Sequence, residues 1–514
     1  MIIKKDKILT EAGKKIIEGY TKNRQSLKED RFYPKYHFVS PGGHLNDPNG
    51  LCFYNGNWHL FYQFKTNGVF NWGHAYSQDS INWKDLPPAI IPGPFEKECW
   101  SGSVMIEDDR AIAVYYGLNC GIMIAVSKDP LLVKWEKLNQ SKPVIPVPVN
   151  AEDKKRYSVF DPYIWKKDGK YYVVCGKYRI DPVTKKRERE EFLFVSENLI
   201  EWTFMHNFLE NDIFALHGDD GACPYFLPLE DKHILFHFSH MSGPKYIIGK
   251  YDKERDKFIA SDGKSLTTSA SFFGGLLAPS AYPENNNSIR LIHNISYCKK
   301  TEEVNQLMSL PRSVHFTDEV HDELAFNVSK DVECLRNGNP IAVLKNILLQ
   351  SNDEYVLKDI EARTTEIIME FEAKNIPAIE IRVMRSAKAE EYTSISIYRQ
   401  RGNVYWKKFN YSNNSYRKCH ESVLALNTLH SSLDCESTLR VPEMQSTYIE
   451  EGEKLKVRIF VDKSVIEVFV NDRISCVSRV YPTLNDSAGV SINPIGGSIN
   501  LNSCICYDMK SIYE

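Results

Sequence analysis

One pattern returns three times along this chain, and that repetition constrains the fold more than composition does. Residues 55–64 read NGNWHLFYQF and are followed by Ser77-Gln78-Asp79 and Trp83. A second unit ends in Ser127-Lys128-Asp129 and Trp135. The third runs DGKYYVVCGKY over 168–178, then Ser196-Glu197-Asn198 and Trp202. Each unit reads as a turn, an apolar strand, a crossing segment, a Ser-x-Asp or Ser-x-Asn turn, and a Trp-bearing outer strand. Units about 50 to 70 residues apart suit propeller blades of four strands each. The runs HILFHFSH (233–240) and IRLIHNISY (289–297) hint at two more.

The rest of the chain divides around that region. A length of 514 residues favours two domains over one core. Residues 8–30 place Ile8, Leu9, Ile16, Ile17 and Tyr20 among charges at helical spacing. Beyond the blades, EIIMEFEA (366–373), AIEIRVMR (378–385) and YTSISIYR (392–399) alternate as strands do, and KLKVRIFVDKSVIEVFVND (454–472) reads as a hairpin around Asp462-Lys463-Ser464. The expected class is all-β. Residues 1–32 form a helical extension, 33–331 a five-bladed β-propeller, 332–352 a linker and 353–514 a β-sandwich.

Composition narrows the partners. A formal net charge of −3 gives no reason to expect nucleic acid or an anionic membrane. The first residues contain no apolar run long enough for a signal-peptide core or a membrane span. Twelve cysteines at irregular spacings, with only Cys504 and Cys506 close together, show no metal-ligand pattern. Free thiols in a reducing cytoplasm are the expectation, with no metal and no cofactor. The 12% of aromatic residues suits strand cores first and sugar stacking second. A homo-oligomer stays open, with the helical extension covering a face or mediating self-association.

A propeller gathers the starts of its innermost strands at a central funnel. Three such starts run into proline, at Asp47-Pro48, Asp161-Pro162 and Cys223-Pro224. Asp47 lies in His44-Leu45-Asn46-Asp47-Pro48-Asn49-Gly50, which is also an excellent turn sequence. Spacing alone leaves a catalytic aspartate and a plain turn both open.

That segment, followed by Phe61-Tyr62-Gln63, Asn71-Trp72-Gly73-His74-Ala75 and Trp83-Lys84-Asp85-Leu86-Pro87, resembles glycoside hydrolase family 32, which holds invertases, inulinases, levanases and fructan exohydrolases. Trp100-Ser101-Gly102-Ser103 resembles its Phe-Ser-Gly-Ser motif. Ser309-Leu310-Pro311-Arg312 resembles its Ser-Leu-Pro-Arg, and the hairpin at 456–472 its sandwich signature. The resemblance runs in the family's order from about residue 36 onward. It implies retaining hydrolysis of a small β-fructofuranoside such as sucrose or a short fructo-oligosaccharide. Asp47 is then the nucleophile and Asp161 the aspartate that holds the fructose hydroxyls and stabilises the transition state. The resemblance also implies that Asn46, Gln63, Trp72, Trp100 and Ser101 line the fructose pocket; for the two tryptophans, blade packing is the alternative.

Two departures from the family stand out. Its Arg-Asp-Pro is Phe160-Asp161-Pro162 here, so a substrate-binding guanidinium is missing. Its acid, the Glu of Glu-Cys-Pro, falls on Ala222 in Asp219-Asp220-Gly221-Ala222-Cys223-Pro224. Alanine transfers no proton. One reading moves the acid to Asp220, or less readily Asp219, since alternation puts Asp220 and Ala222 on one face of a regular strand. A second has position 222 altered to trap substrate, and a third has the protein bind sugar without cleaving it. A plain turn accounts for Asp219 and Asp220 without chemistry. An arabinofuranoside remains the alternative substrate, and fructosyl transfer the alternative reaction. His217, His237 and His240 lie near the same segments and read as solvated or core histidines before substrate contacts or proton donors. Arg179 and KKRERE (185–190) read as a solvated loop at the funnel rim.

Overall fold

The computed structural model describes residues 9–513 except 268–271, 300–304, 318–319, 359, 400–403, 411–414, 438–440 and 451. Among the described residues, strands from His44 to Val328 form five successive sheets, at 44–90, 99–146, 162–207, 209–265 and 276–328. Pairing is antiparallel except for Leu209–Glu210, which runs parallel to Lys257–Ser265 at the outer edge of the fourth sheet. The strands His44–Tyr54, Cys99–Glu107, Pro162–Lys167, Ala222–Leu229 and Leu276–Asn285 each form one edge of their sheet. These edges pack on one another from sheet to sheet, and the first touches both the second and the fifth. They therefore line the axis of a closed β-propeller. An edge strand has backbone groups to spare, which is why proline is tolerated there. Pro48, Pro162 and Pro224 sit on these strands, and the fifth contributes Pro279.

The repeat noted in the sequence is a turn that feeds the outer strand. Asp79 Oδ1 accepts from the backbone N–H groups of Ile81 and Asn82 at 2.9 and 2.8 Å. Asp129 does the same for Leu131 at 2.8 Å, and Asn198 for Ile200 at 3.0 Å. The indoles of Trp135 and Trp202 then donate to Leu132 O and Leu199 O, at 2.7 and 3.0 Å. Short Asx side chains that mimic a backbone turn explain why Asp or Asn recurs at this position.

The helix spans Glu11–Leu27, begun by Thr10, whose hydroxyl accepts from Gly13 N at 3.1 Å. Ile8 lies outside the described residues. Arg24 fastens the helix to the first blade through two bonds to Asp85, at 2.7 and 2.8 Å. The expected loop at 185–190 is instead part of a long hairpin, Lys170–Ile180 with Arg187–Ser196. Its charges misled because Arg189 is buried, held by His237 at 2.6 Å and by Asp212.

Beyond the propeller, two sheets enclose a second core that includes Ile367, Ile381, Val457, Val468 and Ile492. The expected linker is divided. A 3-10 turn at Lys330–Leu335 leads out of the propeller, while Ala342–Leu349 is a sandwich strand paired with Ile499–Asp508. Val343 and Leu348 on that strand are half exposed, so the polar–apolar alternation that betrays a strand is blurred. The hairpin Leu455–Asp462 with Val465–Val470 ties the domains together. Glu467 accepts from Arg312 at 2.5 Å, from Leu310 N at 2.7 Å and bonds His37 Nε2 at 3.1 Å. Asp462 accepts from the backbone N–H groups of Lys35, Tyr36 and His37 and bonds His37 Nδ1 at 2.9 Å. No helix among the described residues is long and apolar enough to cross a membrane. Eleven of the twelve cysteines are free thiols.

Candidate active site

Register slips mark where the innermost strands meet the funnel. The pairing shifts between Leu45 and Pro48, between Cys99 and Gly102, between Ala222 and Tyr225, and between Leu276 and Pro279. Bulges of this kind re-aim side chains that a regular strand would direct sideways. They bracket Asn46 and Asp47 on the first strand, Trp100 and Ser101 on the second, and Cys223 on the fourth. Close blade contact keeps them there: at Gly50, which has φ +50°, a Cβ would lie 2.4 Å from Val104.

Asp47 is cradled on one side. Its Oδ2 accepts from Ser101 Oγ at 2.6 Å and from Gln63 Nε2 at 3.1 Å, while Cys223 Sγ lies at 3.7 Å. These three contacts all fall on Oδ2. Gln63 also donates to Ser101 Oγ at 2.6 Å and accepts from Asn46 Nδ2 at 2.9 Å. Asn46 in turn accepts from Gln306 at 3.0 Å, and Gln306 from Asn294 at 2.6 Å. Burial raises the Asp47 carboxyl above the usual range, and the Ser101 hydroxyl opposes that rise.

Asp161 faces the same space from the third blade. Its Oδ2 accepts from Cys223 N at 3.0 Å and Cys223 Sγ at 3.3 Å. Its Oδ1 is buried with no hydrogen-bond partner among the described residues, an acceptor left for a hydroxyl. Burial first, then the charge of Asp47, push the Asp161 carboxyl well above the usual range. A carboxyl shifted by burial together with a neighbouring charge is a common mark of a functional site.

The remaining residues of interest fall into two groups. Trp100 stays in the funnel wall, partly exposed, with Phe160 and Tyr116 edge-on to it at 6.2 and 6.1 Å. Trp72 is wholly buried instead; its indole donates to Trp100 O at 2.8 Å, so it supports the wall and offers no surface to a sugar. Asp219 is also turned away. Its carboxylate accepts from Lys245, Ser239, Ser242 and Leu216 N, at 2.7, 2.8, 2.5 and 2.7 Å, and is fully buried. Asp220 does not share a strand face with Ala222. The strand begins at Ala222, and Cys223 breaks the alternation at φ +49°. Asp220 reaches His240 instead, accepting from its backbone N–H at 2.9 Å and bonding its Nδ1 at 2.8 Å.

Sequence reasoning passed over Gln306, Asn294 and Lys177. Lys177 Nζ sits 4.0 Å from the centre of the Phe160 ring; burial lowers its pKa, and the charges of Asp161 and Asp220 oppose that fall. It supplies a cation beside the position where Phe160 replaces the family's arginine. Its signal was a lone lysine closing the apolar run of a blade strand. Among the described residues, no group of three or more His, Cys, Asp or Glu side chains is arranged to hold a metal.

Comparison with known proteins matches this geometry. The model of the glycosyl hydrolases family 32 N-terminal domain covers residues 37–327, and that of the family 32 C-terminal region covers 331–508. A β-fructofuranosidase, the insoluble isoenzyme CWINV5 of Arabidopsis thaliana, is 25% identical over 98% of this chain and 96% of its own. A sucrose-6-phosphate hydrolase of Zymomonas mobilis is 24% identical over 92% of this chain and 91% of its own. Among solved structures, fructan 1-exohydrolase IIa of Cichorium intybus superposes with a TM-score of 0.77 at 21% identity, covering 94% of this chain and 98% of that one. A propeller with two facing aspartates at its axis, a sandwich clasped to its last blade, and family models spanning both domains lead to one assignment: the chain belongs to glycoside hydrolase family 32.

Proposed function

We propose that this protein hydrolyses the β-fructofuranosidic bond of sucrose or short fructo-oligosaccharides with retention of configuration. The observation that carries the reading is the asymmetric cradle of Asp47, whose Oδ2 is held by Ser101 and Gln63 while Oδ1 is left to attack. In a retaining mechanism one carboxylate forms a glycosyl-enzyme and a second group protonates the leaving oxygen. Asp47 takes the first role. Asp161, with a buried and unpaired oxygen, receives the sugar hydroxyls and faces the oxocarbenium-like transition state. Asn46, Gln63, Ser101 and Trp100 line the pocket. Of the two aspartates that precede Ala222, Asp219 is locked in a buried ion pair, so proton delivery is sought around Asp220.

The relatives support the substrate class. Those matched include a β-fructofuranosidase, sucrose-6-phosphate hydrolases and a fructan 6-exohydrolase, and a variant of the chicory exohydrolase has been solved with 1-kestose. The free thiols fit a reducing compartment such as the cytoplasm, and hence a small imported substrate. The test is product release from sucrose, sucrose 6-phosphate, 1-kestose, inulin and levan. Hydrolysis of a small fructoside that Asp47→Asn abolishes supports the reading. Binding without turnover by the parent favours a sugar-binding protein instead, and turnover of arabinofuranosides alone replaces the substrate class.

A further inference from the structure

The family's acid position is closed to proton transfer in this chain. Ala222 packs with Cys223, Phe238, Leu277 and Ala278, and Phe160 covers that apolar group. The strand beside it offers another group. Ala222 pairs with Phe238 on the strand Lys232–Ser239, and the turn that follows begins with His240. Phe238 links the two places, since it shares the apolar cluster of Ala222 and its ring centre lies 5.2 Å from that of His240.

We propose that His240, gripped by Asp220, is the group that protonates the leaving oxygen and later activates water. This rests on the retaining reading above and replaces Asp220 as the proton carrier while keeping it as the residue that positions the carrier.

Geometry supports each part of that assignment. Asp220 accepts from the backbone N–H of His240 and from Nδ1, so both the residue and its ring are fixed. Such a carboxylate sets the tautomer and leaves Nε2 as the working nitrogen, the logic of every Asp-His pair that moves protons. Nε2 takes no hydrogen bond among the described residues, and the side chain is 52% exposed, so substrate can reach it. Asp220 cannot easily do both jobs, because its two bonds make it an acceptor. Of the other histidines, His237 is fully buried on Arg189 and cannot meet a substrate. The charged groups that face His240 are Asp220, Asp161 and Asp47, and the nearby Lys177 is itself under the field of Asp161 and Asp220. These carboxylates raise the imidazole's pKa against the cost of its burial, with the Asp220 hydrogen bond the largest contribution.

The steps balance. Asp47 attacks the anomeric carbon, the bond from that carbon to the leaving oxygen breaks, and the oxygen takes the proton from Nε2 of the imidazolium. The neutral imidazole then takes a proton from water as that water attacks the same carbon and the Asp47 ester bond breaks. Each turnover returns His240 to its charged form.

The experiment compares sucrose with p-nitrophenyl β-D-fructofuranoside, whose leaving group departs without a proton. His240→Gln is expected to lower kcat/KM on sucrose about 10²- to 10⁴-fold, the usual contribution of a general acid. It should hold most of its kcat/KM towards the nitrophenyl substrate while kcat there falls because water is no longer activated, regain that kcat with azide as fructosyl azide forms, and lose the alkaline limb of the sucrose pH profile. Asp220→Asn still holds the ring, so it should keep part of the sucrose activity with the alkaline limb displaced to lower pH. Sucrose turnover by His240→Gln near the parent rate overturns the proposal. So does an Asp220→Asn variant as impaired on sucrose as His240→Gln, since that places the proton on Asp220. Failure of the underlying hydrolase reading looks different: the parent is inert on both substrates, or Asp47→Asn retains activity on either.

Discussion

At Asp161 burial and the charge of Asp47 both oppose ionisation. An acid whose folded pKa lies above its unfolded value of about 3.9 costs stability as pH rises between the two values, and the cost is complete above the folded pKa. Asp161→Asn keeps an acceptor for Cys223 N and removes that cost. It should abolish fructoside hydrolysis and yet raise Tm by a few degrees at pH 8, measured by thermal unfolding; a lower Tm there would contradict the account. Ser101 acts in the opposite sense on Asp47, because its hydroxyl favours the carboxylate. Ser101→Ala should therefore move the acidic limb of kcat/KM upward by roughly one pH unit, as expected for loss of a hydrogen bond to a charged group worth about 1.5 kcal/mol. That Asp47, Gln63 and Ser101 meet was legible only through the family resemblance, because each stands in a short motif. Trp72 and Asp219 were misjudged because the sequence shows residue type and order but not which way a bulged strand turns its side chains.

The elements carry the site through close contact more than through their own regularity. Gly176, on the hairpin strand of the third blade, lies so near the approach to the fourth that a Cβ there would sit 1.6 Å from Gly221 O. Gly176→Ala must displace the segment that carries Asp219, Asp220 and Cys223. Overpacking of this kind costs about 1–3 kcal/mol or more. Hydrolysis should fall at least tenfold although no side chain of the site has changed. Paired melting and kinetic measurements check this, and a variant with normal activity would show that the blades tolerate separation. The Asx turns and their tryptophans were readable as a repeat because their chemistry is local. The register slips at 45–48, 99–102 and 222–225 were not, since they arise where neighbouring blades meet, far apart in sequence. For the same reason the alternation argument for Asp220 failed while the residue itself stayed relevant, through His240.

For the whole molecule, the sandwich hairpin is the tie that matters. Glu467 joins Arg312 of the fifth blade to His37 at the entrance to the first, and Asp462 holds the backbone of residues 35–37. Removing one member of a buried charge network leaves the others unpaired, at a cost of about 3–5 kcal/mol. Glu467→Gln should lower Tm and split unfolding into separate propeller and sandwich transitions, seen by calorimetry. Burial opposes the His37 charge, but its bonds to Asp462 and Glu467 outweigh that and raise its pKa. The imidazolium therefore stabilises the fold fully below its unfolded value of about 6.5, and the contribution fades as pH rises through the raised folded value. The Tm gap between the parent and His37→Gln should shrink in that direction; a constant gap across the range would contradict it. The two-domain plan was visible in the sequence, but the tie was not, because its partners are more than 400 residues apart. That separation also sets an order of events on the ribosome. Domains made first generally fold first, yet residues 35–39 emerge long before Asp462, Glu467, Ile512 and Tyr513, which bind them. The nascent propeller must wait, with its first blade unlatched, until the sandwich has been translated, so the funnel is finished by the domain that carries none of its residues.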